Sequence, residues 1–450
     1  MSLWEAMKHA FYIQIVGGVA LGLLPILVLI YYFASDILCF NWKSTNWTAL
    51  PEKTQAFVVT EGTIRAYFIQ MWTFFVALLI FGWPVIKKLN LLTLNLLCAF
   101  FDTCFRLYFY IYGNYHKSWK SYPLNGLFVF IVLMNSFLLG KEIANKTQTL
   151  RNLKVKKALK VAAMLTLQFA FGIPLTLSFV YILIPLYAKE DNEILRTIIA
   201  GGLPLITAIP KVIVRLAAQR IDFVHPGDSH VLLSVLFTGS AIVFRILQAD
   251  LVDRRLFVWL SFAHGAVDLL ERLTIVVRDY FWYFVYRKLK RDREAEETLR
   301  ADKFRTPRGM RLIADMSIQM ILGESTAMIA AVGFIQLYKF TYLGERLVSI
   351  VEFFIRVSIA LSIDFVFNSF SFWLQMSYLN VAVVRVWRKK WRKHMLVVFI
   401  LTAVTLCYFV PRLFVLVVAK SRYTPRANKL NFTCTEPFSK FLARLHMNAT

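Results

Sequence analysis

Long apolar runs recur along nearly the whole chain, most of them close to the roughly 20 residues that cross a bilayer as a helix. The runs 11–33, 67–86, 91–112, 124–140, 162–187, 197–217, 230–249, 256–285, 313–338, 347–376 and 395–419 predict eleven transmembrane helices, with nine as a lower bound. They read as one all-α, polytopic membrane domain over 1–419, followed by a tail at 420–450. Two runs break the apolar pattern. The eighth carries His264, Asp268, Glu271, Arg272, Arg278 and Asp279. At 100° per residue these share an arc of about 120° with Ser261. In the tenth run, Glu352, Arg356, Asp364, Asn368, Ser371 and Gln375 fall on one broad side. The seventh adds a narrow stripe of Ser234, Thr238, Arg245 and Gln248. In the ninth, Asp315, Gln319 and Thr326 align while Glu324 points the other way.

An ionised side chain at the centre of a membrane helix costs about 2.5–3.5 kcal/mol on insertion scales. Stripes of this kind must therefore face the bundle or a water-filled cavity. Three readings of the eighth run compete: it lines a binding or permeation path, it forms a structural ladder of i,i+4 ion pairs, or it lies flat at the interface as an amphipathic helix. On the first reading His264, Asp268, Glu271 and Arg272 bind or relay the solute, with Arg245, Glu352, Arg356 and Asp364 opposite. Arg245 has three candidate partners in Asp268, Glu271 and Asp364.

Helix breakers add a second pattern. Gly17, Gly18, Gly22 and Pro25 lie in the first run, Gly82 and Pro84 in the second, Gly172 and Pro174 in the fifth. In these the expectation is kinking and close packing, with Gly18-xxx-Gly22 as a small-xxx-small contact. The sixth, with Gly201, Gly202, Pro204 and Pro210, reads equally well as a discontinuous helix of the transporter kind.

Composition agrees with the membrane reading. The chain has 450 residues, 58% hydrophobic and 16% aromatic, and a mean hydropathy of +0.57, outside the range of soluble domains. Its net charge of +25 comes from loops between apolar runs, which places those loops on the cytoplasmic side and points to anionic headgroups rather than nucleic acid. With eleven helices the N-terminus is cytoplasmic and the C-terminus extracellular or luminal. Three glycosylation sequons, at Asn46, Asn431 and Asn448, fall on the predicted outer face. So do Cys39 and Cys434, whose pairing as a disulfide is a hypothesis that compartment permits.

No zinc spacing, P-loop, dinucleotide fingerprint, HExxH or GxSxG motif occurs, so neither a metal, a cofactor nor an enzyme is expected. His264 could be compared with the buried histidine of membrane acyltransferases, but a histidine with a carboxylate at i+4 is more often structural. The mixed-charge segment 287–311 reads as a solvated extension of the eighth helix or a docking loop. The segment Val386-Trp-Arg-Lys-Lys-Trp-Arg-Lys-His394 reads as a membrane–water anchor.

Ala314-Asp-Met-Ser-Ile-Gln-Met320, Asp364-Phe-Val-Phe-Asn-Ser-Phe370, the 386–394 segment and Asn431-Phe-Thr-Cys-Thr-Glu-Pro-Phe438 together resemble a nematode-type family of multipass membrane proteins without an assigned activity. The resemblance implies a helical membrane fold and adds no function. The function expected from the residues is a transporter or channel-like protein for a small polar or charged solute. The competing class is a sensory, receptor-type or scaffolding protein with structural ion pairs, and a membrane-embedded transferase stands third.

Overall fold

The first helix is set by its first turn. The Glu5 N–H donates to Ser2 Oγ at 3.3 Å and the Ser2 N–H to Glu5 Oε2 at 3.2 Å. This reciprocal cap satisfies two N–H groups that a helix start leaves unpaired. The computed structural model describes residues 2–36, 52–112, 121–146, 151–219, 221, 223–225, 227–290, 306–342 and 346–421. Among them every regular element is helical, as the all-α reading requires. Helix α1 (Leu3–Phe11) continues through a π-helical stretch, Tyr12–Gly18, into α2 (Val19–Asp36), with Pro25 inside the run.

The chain groups into two compact units, each discontinuous in sequence. The first comprises Met1–Leu24, Ala163–Ile335 and Glu352–Thr405; the second comprises Pro25–Ala162, Gln336–Val351 and Leu406–Thr450.

In the second unit, α3 (Glu52–Gln70), α4 (Trp72–Phe81), α5 (Trp83–Lys88), α6 (Leu91–Ile111) and α7 (Ser121–Asn145) precede α8 (Arg151–Ser178). The expected span 67–86 is not the simple kink anticipated. The chain bends by 41° between α3 and α4. At Gly82, φ is +77°, a backbone state that side chains oppose. There α4 ends, with the Gly82 N–H donating to Leu78 O at 2.9 Å. Pro84 in the first turn of α5 restarts the helix. Packing between α7 and α8 is close enough that a Cβ on Gly140 would lie 2.4 Å from the Ala158 carbonyl oxygen.

In the first unit, α8 passes through a π-helical stretch, Phe179–Leu183, to α9 (Ile184–Lys189). Helix α10 (Glu193–Gln219) keeps Pro204 and Pro210 inside one continuous helix, which removes the broken-helix reading of the sixth run. There follow α11 (Val231–Ala249), α12 (Arg254–Leu273), α13 (Ile275–Lys290), α14 (Pro307–Tyr342), α15 (Arg346–Ser377) and α16 (Val383–Ser421). The core is built round α14, where every residue from 312 to 335 is buried. The Gly18-xxx-Gly22 contact is present and its partner is α14. A Cβ on Gly18 would lie 2.5 Å from Ser325 Cβ, and one on Gly22 2.8 Å from Ile329 Cβ. Close backbone approach of this kind drives helix association in lipid, where burial of apolar surface gains little.

Eight helices among the described residues are long and apolar enough to cross a membrane, or nine if the bent α3–α4 pair is one span. The expectation of eleven exceeds this by two segments, 256–285 and 347–376. Both are helical, and α12 and α15 have 20 and 32 residues. Composition, not length, sets them apart, because they carry the polar stripes. The 256–285 segment is also interrupted at Thr274, between α12 and α13. The sequons Asn46, Asn431 and Asn448, the pair Cys39 and Cys434, and residues 291–305 lie outside the described residues.

Candidate functional site

The i,i+4 spacing of His264, Asp268 and Arg272 stacks them along one face of α12. Helix α15 comes close to that face: a Cβ on Gly265 would lie 2.4 Å from Phe367 Cδ2. The approach brings Arg272 onto Asn368, whose Oδ1 accepts from Nη1. Through Nη2, Arg272 also meets Glu324 of α14 at 3.4 Å and Asp268 at 3.9 Å. Asn368 in turn donates to Gln14 Oε1 at 3.0 Å, and Gln14 donates to Leu361 O at 2.9 Å. Four stretches far apart in sequence thus meet in one buried polar chain.

A second chain lies beside it. Arg245 Nη2 donates to Asp364 Oδ2 at 2.8 Å and Nη1 to Gln248 Oε1 at 3.1 Å. Gln248 Nε2 donates to Ser261 Oγ at 2.6 Å. Of the three carboxylates expected to pair with Arg245, Asp364 takes it. With Arg245 fully buried and Asp364 4% exposed, the pair needs these extra hydrogen bonds to offset desolvation.

His264, Asp268, Arg272, Arg245 and Asp364 therefore belong to neighbouring parts of one polar core. Glu271 lies at its edge, 3.2 Å from Arg278 and 3.9 Å from Arg215. Arg215 itself is held by Asp279, which also accepts from Gln219 at 2.6 Å. Glu352 and Arg356 do not face His264, contrary to the reading of one shared α15 face. Arg356 donates to the carbonyl oxygens of Ala249, Leu251 and Val252 at 2.7–3.3 Å. It caps the C-terminal end of α11, where a cation meets the negative end of the helix dipole. Glu352 bridges Arg356, at 3.1 Å, and Arg254.

Sequence reasoning missed three contributors. Glu324 was assigned away from the other ninth-run groups, yet it is the α14 residue that meets Arg272. Gln14 stands alone in an apolar run, and Arg215 lies on an i,i+4 stripe with Thr207, Lys211 and Gln219 in the sixth run. The aligned pair Asp315 and Gln319 serves a separate cluster: His394 Nε2 lies 3.1 Å from Asp315 Oδ1, and His394 Nδ1 lies 2.7 Å from Gln319 Nε2. Nearby, Lys390 and Lys393 turn onto Asp228 at 2.9 and 2.7 Å. Burial opposes ionisation of the Asp228 carboxyl, but these two ammonium groups outweigh it and hold its pKa below the ordinary value. Part of the basic anchor at 386–394 is therefore turned inward.

A partly open cavity of about 260 Å³ reaches the first polar chain. His264, Asp268, Glu271 and Glu324 form much of its polar wall, and Phe244, Leu270 and Met320 are among its apolar residues. Val267 and Thr274 also line it. The volume is enough for several water molecules at about 30 Å³ each, or for one small solute with part of its hydration. His264 stacks on Phe244, with ring centroids 4.2 Å apart, and neither ring nitrogen has a hydrogen-bond partner. One donor atom from each of His264, Asp268 and Glu324 lies within 4.8 Å of the others, an arrangement able to hold a metal ion.

No protein-family model, curated protein or solved structure matches this chain.

Proposed function

We propose that the protein is a transporter or channel-like membrane protein for a small polar or charged solute, taken up through the cavity beside α12. The observation that carries this reading is the convergence of three carboxylates, Asp268, Glu271 and Glu324, and of His264, whose ring nitrogens are not hydrogen-bonded, on one partly open space inside a membrane helix bundle. Intramembrane ionisable groups are costly, and those facing a cavity mark substrate and ion pathways. Lys211 and Arg278 stand in the same wall as the carboxylates, so it presents both signs and suits a polar or charged solute. Lipid surrounds the bundle, and anionic headgroups meet its cytoplasmic basic segments.

One observation favours a receptor-type or scaffolding role instead. The Asp364–Arg245–Gln248–Ser261 chain is hydrogen-bonded from end to end, as a fixed structural lock would be. Thiol accessibility separates the two. In a background lacking the native cysteines, Val267→Cys and Thr274→Cys are expected to react with a small hydrophilic thiol reagent, and excess solute to slow the reaction. Both cysteines remaining unreactive in intact membranes would sink the path and leave the lock. Whole-cell current and intracellular pH, compared between wild type, Glu271→Gln and Arg272→Gln at equal surface expression, then test for flux.

A further inference from the structure

We propose that His264, Asp268 and Glu324 form a binding site for a divalent first-row transition-metal cation. The site goes beyond the transport reading and stands without it, because it concerns occupancy of the core rather than passage through it.

Geometry comes first. His264 and Asp268 are one turn apart on α12, and Glu324 approaches from α14. His264 Nε2 and Asp268 Oδ2 are 3.5 Å apart, too far for a good hydrogen bond. Two donors about 2.0–2.1 Å from a tetrahedral zinc ion are themselves about 3.4 Å apart. The third donor atom lies within 4.8 Å of both, so small side-chain rotations close the set.

The second observation is independent of the carboxylates. The His264 side chain is only 9% exposed, yet neither ring nitrogen is hydrogen-bonded. Buried polar atoms are nearly always paired, and one left unpaired inside a fold calls for a missing partner. Stacking on Phe244 fixes the ring plane, and the adjoining cavity supplies room for water to complete the coordination.

The donor set also names the class of ion. One imidazole with two carboxylates suits zinc, manganese or iron, whereas calcium and magnesium prefer oxygen alone. Arg272, 3.4 Å from Glu324 and 3.9 Å from Asp268, acts as an outer partner that orients both carboxylates. Its positive charge also keeps affinity moderate.

The test uses untagged, full-length protein in detergent, stripped with chelator and titrated with zinc chloride and with manganese chloride. One equivalent is expected to bind, zinc more tightly than manganese. His264→Gln and Glu324→Gln should each weaken binding at least about tenfold, while His230→Gln leaves it unchanged. Because either ligand variant could misfold, pulsed electron paramagnetic resonance of the wild-type manganese complex gives a separate readout, the modulation from a histidine nitrogen. Absence of saturable binding, absence of that nitrogen signal, or unchanged binding in a folded His264→Gln would each overturn the site. Reactive cysteines at 267 and 274 without metal binding would remove the metal and leave the path. Metal binding with both cysteines unreactive would do the reverse.

Discussion

The two units bury polar groups in different ways. In the second, Thr73, Asn95 and Asn135 form a closed uncharged triad. The Asn135 amide donates to Thr73 Oγ1 at 2.7 Å and to Asn95 Oδ1 at 3.0 Å, and Asn95 donates back to Asn135 Oδ1 at 3.1 Å. Asp102 accepts from Gln70 at 2.8 Å and pairs with Arg106 one turn away. In the first unit the buried network mixes Arg245, Arg272, Asp268, Asp364 and Glu324 with amides such as Gln14, Asn368 and Gln248, draws on separate stretches, borders a cavity and leaves His264 without a hydrogen bond. Burial alone thus says little about function. A triad that satisfies itself holds helices together, whereas the core beside α12 leaves a buried imidazole without a hydrogen bond next to open space.

The comparison can be broken at several points. The largest effect is expected from Asp364→Ala, which strands the fully buried Arg245 charge and should cost about 3–5 kcal/mol. Thermal unfolding in detergent would read it. The double replacement Arg245→Met with Asp364→Leu should recover most of that loss, since an apolar pair of similar volume is often neutral. Failure to recover would move this pair from structure to function. Next comes Asn135→Ala in the second unit, costing about 1–3 kcal/mol through unsatisfied amide partners. It should leave labelling at Val267→Cys unchanged, and a change there would join what the comparison separates.

The smallest effect is expected from Asp228→Asn, about 1 kcal/mol or less for a partly exposed pair. Its sign with pH follows from the lowered carboxyl pKa. The folded value lies below the unfolded one, so the stabilisation is complete above the unfolded pKa near about 3.9. It is lost as pH falls through the folded value. The melting-temperature gap between wild type and variant should therefore hold from pH 7 to about 5 and close on further acidification. A gap that widens in acid contradicts the assignment.

Much of this was legible in the residues. Hydropathy located the helices, and the wheel of α12 placed His264, Asp268 and Arg272 on the face that carries the core. The Gly18–Gly22 spacing announced a close contact, though not its partner. Glu324 was misplaced because a helical wheel assumes one polar face, and α14, enclosed on every side, carries polar groups in two directions. Glu352 and Arg356 were misplaced for another reason. Projection down the axis of α15 hides the two turns that separate Arg356 from Asp364, enough to put one at the end of α11 and the other in the core. Gln14 had no neighbouring polar residue to reveal a stripe, whereas Arg215 shares an i,i+4 stripe with Thr207, Lys211 and Gln219 that the prolines and glycines of the sixth run overshadowed. The division into two units left no mark, because its boundaries fall inside α2, α8, α14, α15 and α16 and no linker separates them.

The glycine face of the first helix has a consequence for how the protein is made. Its partner residues Ser325 and Ile329, and the Asn368 that donates to Gln14, emerge from the ribosome long afterwards. Gln14 and Asn368 are 354 positions apart. At roughly 5–20 residues per second, the first helix waits about 20–70 s in the membrane with a polar amide and a bare backbone groove uncovered. Through that interval an insertion chaperone that covers the groove would do the work that α14 and α15 later take over.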